Sequence, residues 1–220
     1  MEMERKENEF EQFPKELPKL IVHDNFIDDV SLFNRIKDDK EFWKLGYSWW
    51  DGWWQSETST LRHELINFIY NDFCPFPIQG HGKGFEHWVG IYDKDKRSPR
   101  NNFGQEWALG PHQDKDEGWW ANHPKGKGKG DHPDSIRTPM LGTVFYVEAP
   151  EEGGYLQIWD SYDFHSIDEN TPFELIKPRA NRLVIFDAGR VHAVTPVKKG
   201  IRKAVAINIW DPKPTTEMED

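Results

Sequence analysis

Two histidines and one aspartate supply the clearest chemistry in this sequence. His112 and Asp114 are two residues apart, so in an extended segment both side chains point to the same side and can bind one ion. A third ligand is available from His192, eighty residues downstream. Two imidazoles and one carboxylate form the facial ligand set that leaves coordination positions open on Fe(II).

Arg202 follows His192 by ten residues, in a region rich in β-branched residues. If Val197 pairs with Ile201, strand alternation places Arg202 and Asn208 on the same face as His192, among small side chains. An arginine on such a face, without an acidic neighbour, indicates an acidic ligand, because an unpaired charge away from water is costly. The predicted strands are 183–186, 191–197 and 201–209, with a hairpin loop at 198–200.

The combination resembles the Fe(II)/2-oxoglutarate-dependent dioxygenases, most closely their prolyl-4-hydroxylase-like branch. The resemblance rests on His112-x-Asp114, His192 and Arg202, and it covers roughly residues 85–210. It implies Fe(II), 2-oxoglutarate and O2 as the reactants, with ascorbate as a further candidate reductant. The residues after Asp114 also resemble those of small family members from phages and photosynthetic microbes.

The same resemblance implies which residues hold the cosubstrate. Arg202 would pair with the distal carboxylate of 2-oxoglutarate, and Tyr146 would donate a hydrogen bond to it. Tyr146 lies in the first of a predicted pair of strands within 140–160, in which a Gly-Gly-x-Leu sequence follows the turn. The expected cosubstrate residues are Arg202, Tyr146, Tyr92, Leu156 and Asn208.

Other polar residues compete for a place in the site. His87 lies in a predicted strand at 85–92, but no carboxylate stands two residues further on, so His112 is the preferred ligand. Asp116 and Glu117 are interpreted as solvated loop charges, because an Fe(II) oxygenase must keep positions free for O2 and its cosubstrate. The Lys-Gly loop at 124–135 is either a solvated insertion or a lid over the active site.

The fold implied is mainly β with flanking helices: a double-stranded β-helix, which is a jelly-roll-like barrel of the cupin type. Asp28 or Asp29 is predicted to cap one helix, and Thr58 or Ser59 a second. The tryptophan-rich stretch at 46–57 is read as a loop that either packs on the barrel or forms a binding surface. The expected divisions are a flexible tail at 1–15, one dioxygenase domain at 16–210 with its helices at about 16–80 and its β core at about 85–210, and a flexible acidic tail at 211–220.

Composition narrows the setting in which the protein acts. The net charge of −10 disfavours nucleic acid as the main partner. With a single cysteine, Cys74, and no apolar run of membrane length, we expect no intramolecular disulfide and no membrane anchor. The expected location is the cytoplasm, or the host cytoplasm if the chain is phage-encoded, and the sequence leaves the oligomeric state open.

The function expected from these residues is hydroxylation of a C–H bond, with 2-oxoglutarate and O2 converted to succinate and CO2. Asp114 favours hydroxylation, since radical halogenases that resemble these enzymes have a small residue at that position. The substrate is a prolyl or other residue of a peptide or protein, or a small molecule. Two alternatives stay open: a cupin-like metal enzyme that does not use 2-oxoglutarate, and a noncatalytic barrel that acts as a binding module.

Overall fold

The structure is a computed structural model that describes residues 19–75, 82–96, 105–124 and 136–218. The predicted tail at 1–15 and residues 125–135 of the Lys-Gly loop lie outside these ranges. The helices of the described part are α1 (Val30–Asp38), α2 (Leu61–Asp72) and α3 (Glu117–Asn122). Its strands are β1 (Leu20–Asp24), β2 (Tyr47–Trp50), β3 (Gly84–Tyr92), β4 (Leu109–His112), β5 (Leu141–Glu148), β6 (Glu152–Gly153), β7 (Leu156–Trp159), β8 (Phe173–Ile176), β9 (Arg182–Phe186), β10 (His192–Val194), β11 (Val197–Lys199) and β12 (Arg202–Trp210).

Two antiparallel sheets form the body of the fold. The larger has the strand order β1-β9-β5-β12-β3-β2, and the smaller has the order β4-β10-β7-β8. Their inner faces pack together through a buried apolar cluster to which both sheets contribute. This arrangement confirms the predicted double-stranded β-helix. The buried members of the cluster are Val144, Tyr146, Leu156, Ile158, Ile176, Val184, Phe186 and Ala204.

Helices α1 and α2 cover the outer face of the larger sheet. Asp29 caps α1 as predicted, by accepting hydrogen bonds from the amides of Ser31 and Leu32. Thr60 caps α2, one residue after the nearer of the two expected caps. The outward side chains of β12 join buried residues of both helices in the largest apolar cluster, and Ile207 and Ile66 are each 1% exposed there. Most of the hydrophobic stabilisation therefore lies outside the barrel interior.

The predicted ribbon that carries His192 and Arg202 on a single face is wrong. Strand β10 belongs to the smaller sheet and β12 to the larger, so the two side chains face each other from opposite sheets. Val197 pairs with Gly153 of β6 rather than with Ile201. The parity within each strand was predicted correctly, whereas the partner strands cannot be read from local alternation.

The tryptophan-rich stretch is not wholly a loop, because β2 adds to the edge of the larger sheet beside β3. Trp50 is buried and stacks on the ring of His63 at a centroid distance of 4.2 Å. Trp53 and Trp54 pack against Phe85. Of the two interpretations of this stretch, packing on the barrel accounts for these three tryptophan side chains.

Asp116 also departs from its prediction as a solvated loop charge, because it is 1% exposed. Its carboxylate caps α3 by accepting from the amide of Trp119, and it accepts from both the amide and the hydroxyl of Thr215 at 2.7 and 2.8 Å. These bonds place the segment around Thr215 against α3, within the part of the chain for which the sequence predicted a flexible tail. Local sequence gave no sign of this contact, since its partners are 99 residues apart.

We expect Asp116→Ala to lower the free energy of unfolding by about 2–4 kcal/mol, because it removes a helix cap and leaves buried donors without an acceptor. Glu117→Ala changes the neighbouring exposed carboxylate and should stay within about 0.5 kcal/mol of wild type. Urea unfolding followed by tryptophan fluorescence measures both. Equal losses in the two variants would show that Asp116 does not anchor residues 211–218.

Candidate functional site

The strand pair β4 and β10 brings the two predicted histidine ligands together. His192 lies directly opposite His112 in the register of the antiparallel pair, so both side chains project from the same face. Their ring centroids are 4.3 Å apart. Phe186 approaches the ring of His192 edge-on at 5.1 Å from the neighbouring sheet and restricts its orientation. The structure thus places both imidazoles between the two sheets.

The hydrogen bonds of the two imidazoles fix which nitrogen is free. Nδ1 of His112 lies 2.8 Å from the carbonyl oxygen of Gly110, and Nδ1 of His192 lies 2.8 Å from that of Arg190. A carbonyl can only accept, so each Nδ1 carries the proton and donates it. In the neutral form of each ring, Nε2 therefore has the free lone pair, and this is the form that binds a metal ion.

Asp114 completes the group. Its two carboxylate oxygens lie 3.7 Å from Nε2 of His112 and 3.6 Å from Nε2 of His192. The intervening Gln113 points the other way and donates from its amide nitrogen to the carbonyl oxygens of Tyr162 and Gly189 at 2.6 and 2.8 Å. These bonds hold the His112-to-Asp114 segment in the extended form that keeps the first and third side chains on one side.

The donor set fits a metal ion. One ligand atom from each of His112, Asp114 and His192 lies within 4.8 Å of the other two, and among the described residues no other group of three such side chains comes together. Burial, followed by the charge of His112, lowers the pKa of His192 well below its usual value, which favours the neutral imidazole. Two neutral imidazoles and one carboxylate suit Fe(II) and leave room for other ligands.

Arg202 approaches the same cavity from the larger sheet. It is 3% exposed, and its Nε donates to the carbonyl oxygen of Gly154 at 3.2 Å. The guanidinium carbon lies 4.9 Å from the ring centre of Tyr146 and 5.5 Å from that of Tyr92. Within the described ranges no carboxylate forms an ion pair with it. A buried guanidinium without a counterion favours an anionic ligand in the cavity.

Three more of the predicted cosubstrate residues lie around Arg202 or line its cavity. Tyr92 is directly opposite Arg202 in the register of β3 and β12. Tyr146 is fully buried, and its hydroxyl has no hydrogen-bond partner in the described part of the chain. Burial raises the pKa of Tyr146, against the opposing effect of the Arg202 charge, so the hydroxyl stays a donor. Leu156 lines the cavity from the smaller sheet.

Asn208 lies at the other end of the cavity. It is six residues from Arg202 along β12, a separation of about 20 Å in an extended strand. Its side-chain amide donates to Glu86 at 3.1 Å. The structure therefore groups Arg202 with Tyr146 and Tyr92, but not with Asn208.

His87 points away from the metal group. It is 4% exposed, and its ring lies 5.9 Å from that of His63 in α2, on the outer face of the larger sheet. Burial lowers the pKa of His87 to about 3, and the charges of Arg62 and His63 act in the same direction. The preference for His112 over His87 as a candidate ligand agrees with this placement.

Sequence reasoning missed the residues that hold the ligands in place. No sequence signal marks Gln113, because its side chain alternates away from the ligands. Arg190 is 1% exposed and donates to the carbonyl of Trp159, while its own carbonyl orients His192. Both act through backbone carbonyls, and no sequence pattern marks such contacts in advance.

The fold and the site together define a metal-dependent barrel with a cavity suited to an anion. The model of the 2OG-Fe(II) oxygenase superfamily matches residues 100–210. The chain belongs to that superfamily. Membership implies Fe(II), 2-oxoglutarate and O2 as the cofactors.

The regions matched in two curated proteins are short. A PKHD-type hydroxylase of Klebsiella pneumoniae is 38% identical over 71 residues, which are 31% of this chain and 27% of that protein. A PKHD-type hydroxylase of Parvibaculum lavamentivorans is 36% identical over 73 residues, or 33% and 28% of the two chains. The matches thus span little more than a quarter of the relatives' length.

Among solved structures, a prolyl-4-hydroxylase of Pseudomonas putida superposes with a TM-score of 0.52 at 15% identity. The superposition covers 89% of this chain and 94% of that one. Identity at this level supports the fold alone. None of the helices in the described ranges is long and apolar enough to cross a bilayer.

We expect His192→Ala to weaken Mn(II) binding about 100-fold or more, because it removes one of three ligands. His87→Leu, which replaces the buried histidine on the outer face, should leave Mn(II) affinity unchanged. Electron paramagnetic resonance of free Mn(II) in a titration measures both variants. A loss of affinity in His87→Leu as large as in His192→Ala would contradict the assignment of the metal centre.

Proposed function

We propose that this chain is an Fe(II)/2-oxoglutarate-dependent dioxygenase that hydroxylates a C–H bond, with 2-oxoglutarate and O2 converted to succinate and CO2. The observation that carries the proposal is the arrangement of one cavity. The metal group of His112, Asp114 and His192 lines it from one sheet, and the unpaired Arg202 lines it from the other.

Each residue has a distinct part in this reaction. His112, Asp114 and His192 would hold Fe(II), which when bound supplies the oxidising chemistry by reacting with O2. Arg202 would bind the distal carboxylate of 2-oxoglutarate and so orient its keto-acid end toward the metal. The Tyr146 hydroxyl would donate a hydrogen bond to the same carboxylate.

The pocket walls support this assignment. Leu156 and Val194 line the cavity from the smaller sheet, and Ala204 and Ala206 line it from the larger one. Small side chains on β12 leave space for a ligand between the sheets. Apolar walls exclude water, so the charge interaction at Arg202 is stronger than it would be in solvent.

The two rival functions account for less of the cavity. A cupin-like metal enzyme that does not use 2-oxoglutarate would need the metal group but not an unpaired buried Arg202. A noncatalytic barrel would need neither. Asp114 supplies the carboxylate that the resembling halogenases lack, which favours hydroxylation over halogenation.

The substrate is proposed to be a residue of a peptide or protein, with a prolyl residue among the candidates. The support comes from the names of the PKHD-type hydroxylases and of the prolyl-4-hydroxylase that shares the fold. The net charge of −10 argues against nucleic acid as the partner. The single cysteine agrees with the reducing interior of a cell, and we propose the cytoplasm as the location.

Arg202→Ala should retain Fe(II) binding but weaken 2-oxoglutarate binding about 100-fold or more, because the distal carboxylate loses its bidentate pairing with a guanidinium. Anaerobic titration of the Fe(II)-loaded protein with 2-oxoglutarate, followed by its visible charge-transfer band, measures the affinity. Arg179→Ala is the control, since Arg179 is a surface residue that pairs with Asp24. Full 2-oxoglutarate affinity and turnover in Arg202→Ala would overturn the cosubstrate assignment.

Tyr146→Phe should weaken 2-oxoglutarate binding several-fold, by about 1 kcal/mol, while leaving the free energy of unfolding unchanged or slightly higher. The reason is that the buried hydroxyl has no partner in the described part of the protein, so its removal breaks no native hydrogen bond. The same titration and a thermal melt test both halves. Destabilisation with unchanged affinity would show that the hydroxyl has a structural part instead.

A further inference from the structure

A surface groove adjoins the metal group. It shares His112, Asp114 and Trp88 with the interior cavity, and it is also lined by residues that do not line the cavity. Because two candidate ligands form part of its wall, a molecule bound in the groove would lie next to the reacting centre. The additional residues include Leu45, Tyr47, Glu86, Lys96, Lys115, Glu117 and Glu217.

Glu86 is the notable residue of this groove, because it is a carboxylate that is 9% exposed and has no cationic partner among the described residues. It accepts from the hydroxyl of Tyr47 at 2.7 Å and from the amide of Asn208 at 3.1 Å. Both donors are neutral. Burial raises the pKa of Glu86, and the hydrogen bonds from its neighbours oppose that rise. A buried carboxylate without a cation has a free-energy cost that a cationic ligand would reduce.

The two lysines of the groove make contacts elsewhere. Lys96 donates to the carbonyl of Ile91 at 3.0 Å and lies 5.0 Å from the ring centre of Tyr92. Lys115 lies 3.7 Å from the ring centre of Trp120. Neither lysine forms an ion pair with Glu86, so neither neutralises the Glu86 carboxylate.

Aromatic rings stand beside the carboxylate. Tyr47 and Trp88 are cross-strand neighbours in β2 and β3, and their rings stack at 6.4 Å with an interplanar angle of 23°. The Tyr47 hydroxyl also lies 3.3 Å from a carboxylate oxygen of Glu217. Leu45 is 65% exposed at the same edge. Aromatic faces attract cations, and the apolar edge suits the carbon skeleton that carries one.

The interior of the barrel therefore has opposite charges at its two ends. Arg202 of β12 lies opposite Tyr92, and Glu86 of β3 lies opposite Asn208, so the two charged residues are near opposite ends of the strand pair, and both project inward. A buried charge without a counterion favours a ligand of opposite charge. Arg202 therefore favours an anion, and Glu86 favours a cation. A ligand for Glu86 would occupy the groove side of the metal group, while 2-oxoglutarate would occupy the Arg202 side.

We propose that the groove binds a substrate that carries a protonated amine, and that Glu86 is the residue that selects it. This inference rests on the proposed function, since it treats the groove as the substrate site of the dioxygenase. The cation pairs with the Glu86 carboxylate beside the rings of Tyr47 and Trp88. The carbon skeleton attached to it then extends toward His112 and Asp114.

The test uses two probes of nearly equal size, phenethylammonium and phenethyl alcohol, which differ in charge. Saturation-transfer NMR measures their affinity for the full-length protein and needs no metal. We expect the ammonium to bind wild type about tenfold or more tightly than the alcohol, and Glu86→Gln to remove that preference. Glutamine keeps one oxygen that can accept from Tyr47, and its amide nitrogen can donate to the side-chain oxygen of Asn208 once the Asn208 amide turns over. The fold should therefore be kept, and a thermal melt verifies this.

Glu117→Gln is the matched control, because it removes an exposed carboxylate from the same groove, where solvent screens the charge. It should change the affinity for phenethylammonium less than about twofold. Equal binding of the two probes by wild type, or an unchanged preference in Glu86→Gln, would overturn the proposal.

A second measurement places the probe. In protein loaded with Mn(II) and 2-oxoglutarate, the proton relaxation of bound phenethylammonium should increase strongly, because the groove adjoins the metal group. Binding that depends on Glu86 without this relaxation would overturn the groove as the substrate site. Failure of the protein to bind Mn(II) would instead count against the proposed function, and the metal-free NMR comparison would still decide whether Glu86 selects a cation.

Discussion

The pairing of His192 with His112 across β10 and β4 is the constraint on which the site depends. Two side chains directly opposite each other in an antiparallel pair must share a face, and here that face is the interior of the barrel. The Nδ1 bonds to the carbonyls of Gly110 and Arg190 then turn both free nitrogens toward Asp114. A shift of one residue in this register would send one imidazole to the outer face and leave no metal group.

The larger sheet tolerates an unpaired cation in its interior because its stability comes from the other face. Residues of β12 alternate between the small inward side chains that line the cavity and the outward ones that pack under α1 and α2. The outer layer supplies apolar burial, so the inner layer can leave space for a ligand and keep Arg202 without a counterion. Packing and chemistry are thus separated onto the two faces of one strand.

Much of this could be predicted from the sequence, and the failures have a common cause. Local alternation and spacing predict where strands occur along the chain and that Arg202 points inward. They also favour His112 over His87 as the ligand. The partners of each strand do not, which is why His192 and Arg202 were placed on one ribbon rather than on facing sheets. Asp116 was misjudged for the same reason, since its burial depends on Thr215, 99 residues away.

Strands β3 and β4 form part of the groove beside the metal group, and segments outside the core strands of the barrel complete it. Asp116 holds Thr215 in place, and two residues later Glu217 reaches the hydroxyl of Tyr47 at the edge of the larger sheet. The Lys213–Asp51 ion pair, at 2.8 Å, ties the same segment to the turn after β2. The cavity that would hold 2-oxoglutarate is formed by paired strands, whereas the groove depends on side-chain contacts between distant segments. Substitutions in those segments can therefore alter which substrate binds without disturbing the metal group or Arg202.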